Sequence, residues 1–257
     1  QEVVDLYKTN GIGRMRIYYP DEEALQGLRG SGIELIMDVA KETLPSLANA
    51  TAARDWVNKY VTPYARDVNF KYIAVGNEID PNTNEAQYIV PAMTNIQNEI
   101  SSVNLQGQIK VSTTIYSAVI VAPTYPPNTA VFKSDVEPYI KPIINFLVNN
   151  EVPLLANVYL YFSYQQNIEL EYALFTQNGI NGVGYQNLFD VMLDSKYAKI
   201  IVYESGWPSE GGDGASIENA RTYYSNLINV SSGNGTPKRH GGPIETYLFA
   251  MFDENQK

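Results

Sequence analysis

Short apolar runs rich in β-branched and aromatic residues alternate along the chain with segments in which apolar residues recur every three or four positions. Several of the runs are almost continuously apolar, which is typical of strands covered on both faces in a parallel sheet. The pattern predicts seven strands, over 13–19, 33–39, 70–75, 109–115, 153–161, 199–203 and 245–252.

The segments between the runs have the spacing of amphipathic helices. This spacing is clearest over 85–100 and recurs over 136–147 and 220–227, and the chain opens on a helix-like segment over 1–7. Strand and helix therefore repeat as a unit, which predicts one βα-repeat domain over 1–257 without an internal linker. The alternative is a doubly wound sheet, which normally has a Gly-rich turn after its first strand, and none follows a strand here.

The number of strands bears on how such a sheet could close. A βα barrel closes only when its first and last strands pair, and a long open edge would invite aggregation. The pattern supplies seven strands rather than eight, and no helix follows the run over 245–252. We therefore expect the first strand and the last helix of a barrel to be absent from the 257 residues.

Composition removes several classes of function. The net charge of −10 and the pI of about 4.6 argue against nucleic acid and against anionic membrane surfaces, both of which attract Lys and Arg. No apolar run approaches the ~18–20 residues that a membrane-spanning helix needs. Cysteine is absent, so disulfides, a thiolate nucleophile and Cys-based zinc sites are excluded, and we expect no metal and no cofactor. The single histidine, His240, lies in a Gly- and Pro-rich segment, where we expect a surface residue rather than a catalytic base.

Evidence on the compartment is slight. No signal peptide is visible at Gln1, and a mature secreted protein would have lost it. Three Asn-X-Ser/Thr triplets, at Asn49, Asn229 and Asn234, give weak support for a secreted glycoprotein.

Candidate chemistry lies at two glutamates that directly follow predicted strands. Glu78 ends the motif Val-Gly-Asn-Glu over 75–78, and Glu204 begins Glu-Ser-Gly-Trp-Pro over 204–208. A single glutamate after a strand is usually a solvated loop residue, but a parallel barrel places its chemistry at this end of its strands. Two carboxylates fixed in position at strand ends suit a reaction that needs both an acid/base and a nucleophile. Glycoside hydrolysis is the main reaction of that kind.

Longer motifs around these glutamates carry a family resemblance. Leu-Arg-Gly-Ser over 28–31, Tyr-Ile-Ala-Val-Gly-Asn-Glu over 72–78, Glu-Ser-Gly-Trp-Pro-Ser over 204–209 and the segment 245–255 stand in chain order. Together they resemble the plant endo-1,3-β-glucanases of glycoside hydrolase family 17, and the resemblance runs from the first residue to the last.

The resemblance implies a (β/α)8 TIM barrel of the α/β class with a long open cleft, and a retaining reaction on β-1,3-glucan. It implies that Glu78, after the fourth strand of the barrel, is the acid/base, and that Glu204, after the seventh, is the nucleophile. Glu254 and Lys257 match an ion-pairing group that lines the cleft near the acid. Enzymes of this kind are secreted in plants, and we expect a secreted protein of the extracellular space or cell wall rather than of the vacuole. We also expect a monomer.

The residues themselves suggest how such a site could work. We expect the hydroxyl of Tyr159 to donate to Glu204 and stabilise its ionised form, and we expect Asn77 to bind a sugar hydroxyl beside the scissile bond. Aromatic rings stack on the C–H faces of sugars, and Tyr18, Phe162 and Trp207 lie with Tyr159 at predicted strand ends, where a cleft would be.

Departures from the family pattern keep two alternatives open. The usual first strand segment and a C-terminal segment are absent, and Tyr203 replaces a usual small residue before the nucleophile. These departures suggest a β-glucan-binding protein of the defence or allergen type with feeble catalysis, although the intact Glu78 and Glu204 favour the enzyme. The other alternative is an enzyme for mixed β-1,3;1,4-glucan, because a few subsite residues decide the linkage.

Overall fold

The computed structural model describes residues 1–116, 121–122, 131–165, 168–176, 188–194 and 199–253. In these residues the strands are β1 (Arg14–Ile17), β2 (Glu34–Val39), β3 (Asn69–Asn77), β4 (Lys110–Tyr116), β5 (Val121–Ala122), β6 (Val131–Phe132), β7 (Leu154–Asn157), β8 (Ile200–Ser205) and β9 (Thr246–Leu248). The helices are α1 (Glu2–Thr9), α2 (Glu22–Leu28), α3 (Leu44–Leu47), α4 (Ala50–Tyr60), α5 (Ile89–Ser102), α6 (Glu137–Asn149), α7 (Leu160–Tyr164), α8 (Leu170–Ala173), α9 (Leu188–Asp194) and α10 (Ile217–Ser231), with 3₁₀ turns at Lys41–Thr43 and Asn84–Tyr88.

Sheet topology follows the order of the chain. Seven strands form one sheet in the order β1-β2-β3-β4-β7-β8-β9, while β5 and β6 form a separate antiparallel pair. Strands β1 to β4 pair in parallel with their neighbours, and β8 pairs in parallel with β9. Parallel neighbours require a crossover between them, and helices supply it. The predicted alternation of strand and helix is confirmed.

The chain divides into two compact units, the first formed by Gln1–Ile115 with Asp135–Leu155. Strand β2 is buried on both faces, as its apolar run predicted, since Leu35 to Val39 are all buried. The predicted helical spacing over 85–100 is also confirmed, since Ile89, Met93, Ile96 and Ile100 of α5 are fully buried. This packing holds the carboxyl end of β3 in place.

The second unit comprises Tyr116–Ser134 and Ala156–Lys257. In it, β8 is buried from Ile201 to Ser205, and α10 packs through Ala220, Tyr223 and Leu227. The side chain of Ser216 caps α10 by accepting a hydrogen bond from the backbone N–H of Asn219 at 3.0 Å.

A buried aspartate fastens a loop within this second unit. Asp194, at the end of α9, accepts hydrogen bonds from the Thr236 hydroxyl and, at 2.9 Å, from the backbone N–H of Lys238. The guanidinium of Arg239 lies 3.6 Å from the same carboxylate. The next residue, His240, is exposed, as predicted.

Two strand predictions were too long. The run over 153–161 contains β7 only as far as Asn157, and Leu160 begins the short helix α7. Leu160 and Tyr161 are buried in that helix, so their apolar character has the same cause as in a strand and periodicity cannot separate the two. The run over 245–252 contains only the three residues of β9.

Candidate active site

Glu78 lies immediately beyond the end of β3. The strand is buried from Tyr72 to Gly76 and emerges at Asn77, whose side chain is half-buried. Glu78 itself is exposed and has a φ of 51°, in the left-handed region that few residues other than glycine adopt. Its backbone N–H donates to the carbonyl of Thr114 on β4 at 3.1 Å. A rigid strand thus presents this carboxylate to solvent.

Further contacts shape the turn that carries Glu78. Gly76 has a φ of 84°, and a Cβ there would lie 3.0 Å from the side chain of Ile79. The Thr113 hydroxyl donates to the Gly76 carbonyl at 3.3 Å, and the Tyr139 hydroxyl donates to the Ile79 carbonyl at 3.2 Å. The backbone angle at position 76 therefore favours glycine, and a Cβ there would also press against the Ile79 side chain.

Glu204 lies at the penultimate position of β8 and is 8 % exposed. The hydroxyl of Tyr159 donates a hydrogen bond of 2.5 Å to its Oε2 atom. The predicted contact between these two side chains is confirmed. The backbone carbonyl of Glu204 also accepts from the N–H of Val158 at 2.8 Å. A buried carboxylate is costly without a hydrogen-bond donor, and the phenol of Tyr159 supplies one.

Aromatic rings hold Tyr159 in turn. Its ring centroid lies 5.7 Å from that of Phe162 and 6.3 Å from that of Phe249, tilted against the first and edge-on to the second. Such arrangements are favourable for aromatic pairs. The orientation of the phenol toward Glu204 is therefore set by packing on two sides of the ring.

The residues after Glu204 are fixed by hydrogen bonds and close contact. The Ser205 hydroxyl donates to the Val158 carbonyl at 2.7 Å, so the Tyr223 hydroxyl, 2.6 Å away, is the donor in their mutual hydrogen bond. Burial raises the pKa of Tyr223, which keeps it a donor. At Gly206 a Cβ would lie 2.3 Å from the Phe249 carbonyl oxygen, so only glycine fits.

The predicted sugar-binding aromatics fall into two groups. Tyr18 and Phe162 are 42 % and 46 % exposed, which suits a contact with substrate. Trp207 is only 4 % exposed, with its ring centroid 5.1 Å from that of Tyr161 and 5.3 Å from that of Tyr223. Its indole N–H donates to the Gly214 carbonyl at 2.9 Å. Trp207 is therefore a packing residue, and its prediction as a sugar-stacking surface was wrong.

Sequence reasoning missed an ion pair at the ends of β1 and β2. Arg16 contacts Asp38 at 2.8 Å, with side chains 6 % and 2 % exposed. The Arg16 guanidinium also lies 3.8 Å from the ring centroid of Tyr18. The signal was present, because each charge interrupts an apolar strand run, where an unpaired charge would be costly.

Two predicted cleft residues, Glu254 and Lys257, lie outside the described residues. Within the described part of the chain, no helix is long and apolar enough to span a bilayer. The same part contains no group of three or more His, Cys, Asp or Glu side chains that could hold a metal ion.

The fold and the two strand-end glutamates define a class of protein. Carboxylates after parallel strands of a βα-repeat sheet are typical of glycoside hydrolases built on α/β barrels. The whole chain, residues 1–257, matches the model of the family described as glycosyl hydrolases family 17, and the chain belongs to that family. It is a glycoside hydrolase, as predicted.

Named relatives agree with this assignment. A glucan endo-1,3-beta-glucosidase of Glycine max is 68% identical over 88% of this chain and 92% of its own length. The solved structure of CJP38, a beta-1,3-glucanase and allergen of Cryptomeria japonica pollen, is 42% identical with a TM-score of 0.93, over 100% of this chain and 86% of the other. A structure from work on two plant beta-glucan endohydrolases with distinct substrate specificities is 38% identical, also with a TM-score of 0.93, over 100% and 87%. The predicted α/β fold class, a (β/α)8 barrel, is confirmed.

Proposed function

We propose that the chain is an endo-acting, retaining hydrolase of β-1,3-glucan in which Glu204 is the nucleophile and Glu78 the acid/base. Membership of family 17 and the name of the 68% identical relative support the reaction and the substrate. The hydrogen bond from Tyr159 to the buried Glu204 carries the assignment of roles, because it holds that carboxylate in a fixed orientation, as attack on the anomeric carbon requires. Glu78 is the exposed partner, open to exchange protons with substrate and water.

The reaction proceeds in two displacements. In the first, Glu78 gives its proton to the glycosidic oxygen while a carboxylate oxygen of Glu204 attacks the anomeric carbon. The bond from that carbon to the glycosidic oxygen breaks, the leaving glucan departs as an alcohol, and a glycosyl ester forms on Glu204. In the second, Glu78 takes a proton from water, which attacks the same carbon and releases Glu204. Two inversions leave the configuration unchanged.

Substrate binding is proposed for Asn77, Tyr18 and Phe162. The Asn77 amide can hydrogen-bond a sugar hydroxyl, and the exposed rings of Tyr18 and Phe162 can cover sugar faces. Glu254 and Lys257 are proposed to line the cleft, as the family resemblance implies. A polymer bound along an open cleft would be cut internally, which accounts for endo action.

Mixed-linkage β-1,3;1,4-glucan is the second candidate substrate. The structure from the work on endohydrolases of distinct specificities matches this chain as well as the glucanase from pollen does, so the fold alone does not select the linkage. A glucan-binding protein without catalysis is less well supported, because Glu78 and Glu204 are both present. CJP38 is described as glucanase and allergen at once, so an allergen-type role does not oppose catalysis.

We also propose that the enzyme is a secreted monomer of the plant cell wall, with a role in defence. Asn49, Asn229 and Asn234, the three candidate glycosylation sites, are all exposed, as a glycan requires. The acidic pI of about 4.6 favours an extracellular rather than a vacuolar form.

The test is release of reducing sugar from a linear β-1,3-glucan by the parent chain, by Glu204→Gln and by Glu210→Gln. Glu210 is an exposed loop glutamate and serves as the matched control. We expect the parent and the control to release a mixture of oligosaccharides, and Glu204→Gln to be slower by roughly 10⁴-fold or more, since removal of a nucleophile acts on that scale.

Three results would change the proposal. Normal turnover by Glu204→Gln would remove Glu204 as the nucleophile. Release from mixed-linkage glucan but not from the β-1,3-polymer would favour the second substrate, and binding of glucan without release by any variant would favour the binding protein.

A further inference from the structure

The backbone at Glu78 is held in an uncommon conformation. Its φ of 51° follows a φ of 84° at Gly76, so β3 ends in a sharp change of direction at the glutamate. Residues other than glycine persist in the left-handed region only when their surroundings hold them there. The direction in which the Glu78 side chain leaves the strand therefore depends on what fixes this turn.

Hydrogen bonds hold the turn from two directions, the sheet and a helix outside it. On one side, the N–H of Glu78 donates to the Thr114 carbonyl at 3.1 Å, as an extension of the pairing between β3 and β4. On the other side, the carbonyl of Ile79 accepts from the Tyr139 hydroxyl at 3.2 Å. Tyr139 lies near the start of α6, so the second contact comes from outside the sheet.

We infer that Tyr139 is a positioning residue for general acid catalysis: its hydroxyl fixes the Ile79 carbonyl and thereby the backbone from which the Glu78 carboxyl projects. The inference rests on the proposed role of Glu78 as the acid/base. Placement to within a fraction of an ångström matters for proton transfer, because a general acid works only within hydrogen-bond reach of the leaving oxygen.

The surroundings of Tyr139 leave its ring partly open and keep its hydroxyl protonated. A groove of about 330 Å³ lies beside the ring, lined in part by Pro81, Pro138 and Gln87, so packing does not enclose the ring on every side. Burial, with a smaller contribution from the negative charge of Asp80, raises the pKa of Tyr139. The phenol therefore stays protonated and remains a donor throughout the range in which an enzyme is assayed.

The variant Tyr139→Phe removes the hydroxyl and keeps the ring. We would measure kcat/KM for this variant on linear β-1,3-glucan and on a dinitrophenyl glycoside of a β-1,3-linked glucose oligomer. Dinitrophenolate leaves without protonation, so its kcat/KM does not need a well-placed acid, whereas a sugar alcohol does. Glu78→Gln serves as the reference for complete loss of the acid. Tyr64→Phe is the matched control, because the Tyr64 ring lies under Arg29, with a guanidinium-to-centroid distance of 4.6 Å, away from the turn.

We expect Tyr139→Phe to lower kcat/KM on glucan by about tenfold, a part of the roughly 10²- to 10⁴-fold that a general acid supplies. On the dinitrophenyl glycoside we expect less than about a twofold change, and we expect Tyr64→Phe to resemble the parent on both substrates. An equal fall on both substrates, or no fall on glucan, would overturn the role of Tyr139. If Glu78→Gln itself failed to discriminate between the substrates, the proposed role of Glu78 would fail instead.

Discussion

The buried carboxylate of Glu204 contacts one phenol at 2.5 Å, and that phenol is packed between two further rings. A hydrogen bond to an ionised group contributes about 1.5–3 kcal/mol. The contact orients the carboxylate that is proposed to attack the anomeric carbon. It should therefore affect the rate of reaction more than the stability of the fold.

Replacing Tyr159 by Phe tests this contact. We expect Tyr159→Phe to lower kcat/KM on β-1,3-glucan by roughly tenfold to a hundredfold, which corresponds to the loss of a hydrogen bond to a charged group. The fold should persist, since the ring still packs against Phe162 and Phe249. Kinetics with purified protein and circular dichroism would check both expectations.

Tyr164→Phe is the matched control for that experiment. It also removes a hydrogen bond from a tyrosine to a carboxylate, that of Asp213 at 2.9 Å, in an exposed loop. Its activity should stay close to that of the parent. A similar loss in both variants would show that the effect at Tyr159 is not specific to Glu204.

The sequence predicted the surroundings of some site residues correctly and those of others wrongly. Glu78, Glu204 and the contact of Tyr159 followed from strand-end motifs, because the end of a strand fixes where a side chain begins. Trp207 was predicted wrongly, because the same motif does not tell whether a ring faces solvent or turns into an aromatic cluster. The pairing of Arg16 with Asp38 could be predicted only from the register between β1 and β2, and a single sequence does not specify that register.

At the scale of elements, a charged group links the first three strands. Glu34 begins β2 and accepts hydrogen bonds from Arg14 on β1 at 2.8 Å and from Lys71 on β3 at 3.0 Å. Burial alone would raise the pKa of Glu34, but the two cations outweigh it and lower that pKa. These contacts therefore stabilise the folded chain while Glu34 is ionised.

Glu34→Gln should lower the free energy of unfolding at neutral pH by up to about 1 kcal/mol, because the three side chains are partly exposed and screened by solvent. The pKa of Glu34 is lower in the folded chain than in the unfolded one. Its contribution is thus complete above the unfolded pKa and is lost as pH falls through the folded value.

Urea denaturation of parent and variant at pH 7 and at acid pH checks this expectation. The difference between them should shrink as the pH falls. Glu22→Gln is the control, since Glu22 lies 3.5 Å from Lys59 in a pair whose side chains are 60% and 59% exposed. A difference that is constant with pH would contradict the role of the Glu34 charge.

Element boundaries show the limit of periodicity. The strands β2, β3 and β8 were placed within two residues, because long apolar runs flanked by polar turns leave little choice. The run over 153–161 was misread beyond Asn157, because buried helix and buried strand are equally apolar. The two-residue strands β5 and β6 are too short for any pattern to reveal.

At the scale of the whole molecule, the sequence predicted the architecture better than its details. Consecutive strand–helix units impose neighbouring parallel strands joined by crossovers, and the strand order β1-β2-β3-β4-β7-β8-β9 follows the chain. Family 17 membership over residues 1–257 joins this fold to glycoside hydrolysis. Neither the hydrophobic pattern nor the strand order determines which glutamate performs which step of the reaction.

Covalent trapping of the nucleophile tests that chemistry most directly. The reagent is a dinitrophenyl glycoside of a β-1,3-linked glucose oligomer with fluorine in place of the 2-hydroxyl group of its reducing-end sugar, which slows hydrolysis of the glycosyl ester. Intact mass and peptide mapping should show one sugar adduct per chain, on the peptide that contains Glu204. An adduct on another side chain, or turnover of the reagent without any adduct, would contradict the proposed mechanism.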